Sequence, residues 1–347
     1  MANRENAFGA LRLLLASMVI FAHVPELMDG DRHREPINML FHNGLSAGAL
    51  AVDGFFLISG YLITQSWEAQ PRTYFLKRVL RIYPAFALCS LIILFLIAPF
   101  VGGEPVHGIQ WLRAAYRIAA LQAPVSDGAF GHLKVPAVDA SMWTIAYEFR
   151  CYILAALLGW VGLYRRPWLL LALSAAIFAL QFAPLPTASD HLAEVIGQLK
   201  SDARLTGIFF IGACFRLFKP RFHGWVAAAG VAAMVPLMFV PLTAEAAFVA
   251  LGGYALFWLA LNVKWDPLLR LNAKNDISYG VYLWAWPLSA LVLTWWPQVT
   301  LPTLLAADFA LAVAAGAISW FLIEKRAMAL KDRFGTVRRP ATVPTAP

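Results

Sequence analysis

The stretch Phe8-Gly-Ala-Leu-Arg12-Leu-Leu-Leu-Ala-Ser-Met-Val-Ile-Phe-Ala-His23-Val-Pro25 decides how the rest of the chain is read. Apart from Arg12, Ser17 and His23 it holds no polar side chain. Crossing the hydrocarbon core of a bilayer takes a helix of roughly 20 apolar residues. The run follows a single Arg4 and has no small-residue cleavage site behind it. It therefore reads as a retained first helix rather than a removable signal peptide.

Nine more runs of this kind follow, at 44–66, 80–101, 140–162, 167–183, 204–218, 222–241, 244–262, 276–296 and 302–323. The composition agrees with them. The chain of 347 residues is 60% hydrophobic and only 14% charged, where a soluble domain carries about 25% charged residues. A soluble core cannot absorb that excess, and a lipid bilayer can. The expectation is an all-α, polytopic membrane helix bundle of about ten transmembrane helices. It forms one domain over residues 1–330, with no internal repeat. Residues 331–347 make a basic, Pro/Thr-rich tail of the composition that stays disordered.

Charge sets the orientation. The net charge of +8 could fit a nucleic-acid binder, but its distribution fits a membrane. Basic residues crowd one set of alternate segments: Arg72, Lys77, Arg78 and Arg81; Arg165 and Arg166; Arg216, Lys219 and Arg221; Lys264, Arg270 and Lys274; and the tail from Lys325 to Arg339. The other set holds fewer: Arg32, Arg34, Arg113, Arg117, Lys134, Lys200 and Arg204. By the positive-inside rule both termini are cytoplasmic. The two longest outward loops, 26–43 and 102–139, are of the length that tends to carry function. Cys89, Cys151 and Cys214 all fall in apolar runs, with no disulfide or metal spacing. His33, His42, His107, His132, His191 and His223 fall in loops or at helix ends and read as solvated.

Ionisable residues within spans are costly and mark function. Arg12 and His23 are eleven residues apart, which is about 16 Å along a helix and close to three turns. They share a face, a cation at one mouth and an imidazole deep inside. Histidine exchanges protons near neutral pH. Against this stands a plain pair of interfacial side chains. Asp53, in Asp53-Gly-Phe-Phe-Leu-Ile-Ser59-Gly60, needs a partner, and Ser59-Gly60 suits close helix approach. Arg78 and Arg81 share a face at i,i+3, and paired guanidiniums suit a phosphate, though membrane anchoring accounts for them equally. Glu148, in Trp143-Thr-Ile-Ala-Tyr-Glu148-Phe-Arg-Cys-Tyr152, also needs a partner, and Arg12, His23 and Arg81 are candidates. Ser278-Tyr-Gly-Val-Tyr282-Leu-Trp284-Ala-Trp286 has the aromatic density of an interfacial belt. Glu324-Lys325-Arg326 closes the last helix with inner-face charges.

Taken in order, these blocks resemble the membrane acyltransferase family 3, integral-membrane O-acyltransferases of bacterial surface glycans. The resemblance rests on Arg12-x10-His23; on Phe55-Phe-x-x-Ser-Gly-x-Leu62; on Arg78-x-x-Arg81; on Trp143-Thr-Ile-x-x-Glu148-x-x-x-Tyr152, with Thr144 and Cys151 departing from the usual residues; and on Ile277-Ser-Tyr-Gly-x-Tyr282-Leu-x-x-x-Pro287. It spans Phe8 to about Arg326 and looks like the form without a periplasmic esterase-like domain. The resemblance implies an acyl-CoA donor, acetyl-CoA first, on the cytoplasmic face of a bacterial inner membrane, and a glycan hydroxyl as acceptor. It implies His23 as general base and Glu148 as its orienting or balancing partner, or a holder of the acceptor. Arg78, Arg81 and Arg12 would bind the donor. Asp53, Ser59, Trp143 and Tyr152 would hold substrate or support the site, and no metal is implied. The rival is a proton-coupled transporter or flippase built on His23, Asp53 and Glu148. Acceptor identity and oligomeric state are left open.

Overall fold

A computed structural model describes residues 6–42, 44–183 and 190–335. Among the described residues there is no strand. In chain order the helices are α1 (Phe8–Asp29), the short α2 (Pro36–Leu40), α3 (Ala47–Ala69), α4 (Tyr74–Ile92), α5 (Gln110–Ala119), α6 (Trp143–Trp160), α7 (Pro167–Ala179) and α8 (Asp190–Phe218). There follow α9 (Gly224–Leu237), α10 (Pro241–Ala247), α11 (Gly253–Asn262), the short α12 (Asp266–Arg270), α13 (Ser278–Trp295), α14 (Leu301–Ser319) and α15 (Lys325–Gly335). Three of them run on through wider π turns: α4 at Ile93–Ile97, α10 into α11 at Phe248–Gly252, and α14 into α15 at Trp320–Glu324.

Each of the ten apolar runs falls on a helix. Five stretches are long and apolar enough to cross a membrane: Phe8–Asp29, Ala47–Ala69, Pro71–Val101, Pro241–Asn262 and Leu301–Lys331. Pro167–Phe182 and Gly224–Leu237 are apolar but shorter. The helices α6 and α13 are not among the five: Glu148, Arg150 and tyrosines dilute the hydropathy of α6, and tyrosines, tryptophans and serines that of α13. The chain is thus a multi-pass helical membrane protein, and about ten crossings is more than length and composition alone license. The run at 204–218 is only the second half of α8, so Lys200 and Arg204 are helical rather than part of a connecting segment. Arg204 can sit inside the bundle because carboxylates neutralise it, as described below. The tail's expected disorder falls largely on residues 336–347, outside the described residues; Lys325–Gly335 is helical.

Local signals set the helix ends. Gly30 ends α1 with φ at +82°, its N–H returning to the Glu26 carbonyl at 2.8 Å, which glycine does without steric cost. Ser46 caps α3 by accepting from the Ala49 N–H at 3.1 Å. The Glu35 carboxylate accepts from the N–H groups of Ile37, Asn38 and Ala47, tying the loop after α1 to the start of α3.

At the centre α1 packs on α3, α13 and α14. The Ser59-Gly60 pair does bring backbones together. A Cβ at Gly60 would stand 1.8 Å from the Phe209 carbonyl oxygen, and one at Gly212 only 2.1 Å from that of Leu57. No side chain larger than hydrogen fits between α3 and α8 there. The 102–139 loop folds back along the bundle. Trp111 of α5 stacks on Phe95 at 4.9 Å, and the Tyr83 hydroxyl donates to the Ala119 carbonyl at 2.8 Å. Trp111 and Ala119 are eight residues apart, so α5 runs about 12 Å beside α4 and its extension. Leu121, Ala129 and Phe130 then bury themselves in the core.

Candidate functional site

The helices α1, α3, α6 and α13 enclose two chambers. The larger has a volume of about 480 Å³, and His23, Glu26, Trp143, Arg204 and Glu245 are among its lining. The smaller, about 40 Å³, is lined by Arg12, Phe55, Phe56, Glu148 and Tyr279 among others. The shared face of Arg12 and His23 thus serves one chamber at each level of the first helix.

In the larger chamber the His23 Nδ1 lies 3.0 Å from Glu26 Oε2, and Glu26 Oε1 accepts from Arg32 at 2.7 Å. The His23 ring stands edge-on to Trp286, centroids 5.1 Å apart. A carboxylate at Nδ1 fixes the tautomer with the proton there and leaves Nε2 as the basic nitrogen. Glu26 is buried while His23 stays partly exposed to the chamber. The sequence reading missed Glu26. It lies three residues beyond His23 on the same helix face, but just past the end assigned to the apolar run.

Glu148 does not meet His23, Arg12 or Arg81. Its Oε1 accepts from Ser59 at 2.5 Å and from Tyr152 at 2.6 Å, and those two hydroxyls are 3.3 Å apart. Neutral donors replace the expected cation or imidazole, because α3 presents Ser59 to this face of α6. The carboxylate that meets His23 is Glu26 instead. Tyr152 is held in turn by its carbonyl, which accepts from Tyr74 at 2.9 Å, and by Arg78, whose guanidinium lies 5.8 Å from its ring centroid.

Arg78 and Arg81 do not act as a pair. Arg81 donates to Glu324 at 2.5 Å and to Asp276 at 2.8 Å, between the rings of Tyr279 and Trp320. Arg12 donates to the same Asp276 oxygen at 2.6 Å. Ser278 and Asn272 donate to the other Asp276 oxygen at 2.5 and 2.9 Å. Two guanidiniums and two carboxylates therefore form a neutral knot, with Glu324 fully buried at its base. Glu324 is a core counter-ion rather than an inner-face charge. Sharing a helix face does not give the two arginines the same partners, since acids on α14's extension and before α13 meet Arg81 while Arg78 lies over the Tyr152 ring.

Asp53 finds its partner in Arg204, which also holds Glu245. Asp53 is fully buried, while Arg204 and Glu245 line the larger chamber. Trp143 lines that chamber too, half-exposed, with Tyr147 edge-on to it at 5.4 Å. His132, exposed, lies with Nε2 3.1 Å from the Thr294 hydroxyl. Ahead of α6, Asp139 Oδ1 accepts from the N–H and hydroxyl of Ser141, both at 2.8 Å. Burial pushes its carboxyl up to about 7 against those hydrogen bonds.

The arrangement sets an imidazole held at Nδ1 beside a polar chamber, with a second chamber next to it. An imidazole so placed can take the proton of a hydroxyl. A family described as an acyltransferase domain matches residues 5–324. Among curated relatives, the O-acetyl transferase of Shigella phage Sf6 is 25% identical over 343 residues, covering 93% of this chain and 96% of the relative. Nodulation protein 10 of Rhizobium leguminosarum bv. viciae is 28% identical over 370 residues, covering 95% of each. No solved structure matches the chain.

Proposed function

The chain belongs to this acyltransferase family, and from that premise we propose that it moves an acyl group, acetyl first, from acyl-CoA to a hydroxyl of a surface polysaccharide or its lipid-linked precursor. In this reading the protein lies in a bacterial inner membrane with about ten crossings and both termini cytoplasmic. The donor enters at the Arg12 end and the acceptor occupies the His23 chamber. Two relatives support the choice of group and setting: one is named an O-acetyl transferase and the other a nodulation protein.

The observation that carries the reading is His23 with Nδ1 on Glu26 and its ring in a chamber large enough for a sugar. His23 Nε2 takes the proton of the acceptor hydroxyl. The oxygen bonds to the thioester carbonyl carbon, the carbon–sulfur bond breaks, and His23 passes its proton to the leaving thiolate. Atoms and charge balance without a further reactant. Glu26 is a positioning residue that stabilises the imidazolium. Glu148, Ser59 and Tyr152 shape the smaller chamber. Since Asp276 and Glu324 neutralise Arg12 and Arg81, Arg78 is the member of its motif with most charge left for the anionic end of the donor. Arg12 still lines the smaller chamber and can contact the donor arm.

The test is turnover of acetyl-labelled acetyl-CoA by the purified protein in nanodiscs, with a crude bacterial surface-glycan extract as acceptor. Label enters glycan with wild type and not with His23→Ala. Failure of folded wild-type protein to bind or turn over acetyl-CoA would instead favour proton-coupled transport.

A further inference from the structure

The two chambers have two lining residues in common, Val52 of α3 and Tyr282 of α13. Arg12 borders only the smaller chamber and His23 only the larger. The two chambers meet at these side chains, so a group handed from the Arg12 level of α1 to the His23 level along them meets both.

Tyr282 is the fixed side of this passage. Its hydroxyl lies 2.7 Å from Thr144 Oγ1 and donates to the Ser141 carbonyl. Its ring meets Phe55 edge-on, centroids 6.3 Å apart. Ser141 is itself held by Asp139, so the latch is anchored in the first turn of α6 and the loop before it. Val52 is the opposite side. A β-branched residue in a helix has one strongly preferred rotamer, so its methyl groups keep a set position. The smaller chamber, at about 40 Å³, has little slack for bulk to be stored before the passage.

We propose that Val52 and Tyr282 are specificity-determining residues, the two sides of a neck whose width selects the acyl group delivered to His23. The inference rests on the acyl-CoA reading given above. A short group passes the neck, and each added methylene meets Val52 on one side and the latched ring on the other. Fit of one methylene in an apolar slot discriminates by roughly 10–200-fold.

The experiment measures kcat/KM for acetyl-, propionyl- and butyryl-CoA by free CoA release, with the same glycan extract. It compares wild type, Val52→Ala, Val52→Leu and Tyr282→Phe in nanodiscs. The readout is the butyryl-to-acetyl ratio, which cancels differences in folded fraction. Val52→Ala raises the ratio by about tenfold or more and Val52→Leu lowers it, so the pair brackets wild type. Tyr282→Phe keeps the ring but frees it from Thr144 and Ser141, and raises the ratio by roughly threefold. A ratio that stays flat in both Val52 variants, or in Tyr282→Phe, overturns the assignment for that residue. Wild-type protein that releases CoA from no donor overturns the acyl-CoA reading itself, whereas normal wild-type turnover with flat ratios overturns the neck alone.

Discussion

Two clusters of charge sit at opposite levels of the same first helix, and they are built differently. Around Arg12 every charge is matched: Asp276 takes Arg12 and Arg81, and Glu324 takes the rest of Arg81. Aromatic rings close over the arginine and the carboxylate at its base is fully buried. Around His23 the chain of partners runs outward, from His23 to Glu26 to an Arg32 that is 74% exposed. The first cluster is satisfied within itself and holds four parts of the chain together: α1, α4, the segment before α13 and the extension of α14. The second leaves one nitrogen open toward a chamber. A buried, fully paired cluster serves architecture, because breaking it strands a charge. An open-ended one suits chemistry, because the imidazole at its inner end can still exchange a proton.

The comparison can be broken by substitution, and the largest effect belongs to the open cluster. His23→Ala should lower transfer by about 10²–10⁴-fold while the variant elutes and melts as wild type does. A variant that instead fails to fold would make His23 a structural residue and erase the contrast. Next, Glu324→Gln should cost about 3–5 kcal/mol of stability, read as a lower unfolding temperature in detergent. A normal melt with lost activity would move the closed cluster into the chemistry.

Two smaller effects sharpen the contrast. Glu26→Gln removes a charged hydrogen bond to His23 and should reduce kcat by about tenfold to a hundredfold, leaving the KM for acyl-CoA near its wild-type value. A change in KM alone would place Glu26 in binding instead. Arg32→Ala should matter least, since an exposed ion pair is worth about 0–1 kcal/mol. Its effect on kcat should stay within roughly fivefold and shrink further in high salt. A loss as large as that of Glu26→Gln would mean that the chain of partners ends at Arg32 rather than in water.

Much of this was readable before any coordinates. Eleven residues between Arg12 and His23 fix their shared face by helix geometry alone, and each side chain lines a chamber on that face. Ser59-Gly60 announced a close approach, and Gly60 does meet the backbone of α8. Asp53 and Glu148 announced a need for partners, because a carboxylate in an apolar run has to be satisfied. Who the partners were lay beyond the pattern. Arg204 sits 151 positions from Asp53, and Glu324 sits 243 from Arg81. Glu26 is the exception. It stands within reach of the i,i+3 rule, one residue beyond the apolar run that ends at Pro25.

The sequence by itself determined an apolar helical chain, the helices that carry charge, and the face of α1 on which Arg12 and His23 lie. These are properties of one helix at a time, set by local periodicity and by the cost of polar groups in lipid. The tertiary structure decided that Glu26 lies against His23 while Glu148 meets Ser59 and Tyr152. It decided that Arg81 is bound by acids while, among the described residues, Arg78 pairs with none, and that Val52 and Tyr282 line both chambers. Those are matters of which helices lie side by side, settled by packing and charge pairing across the whole bundle.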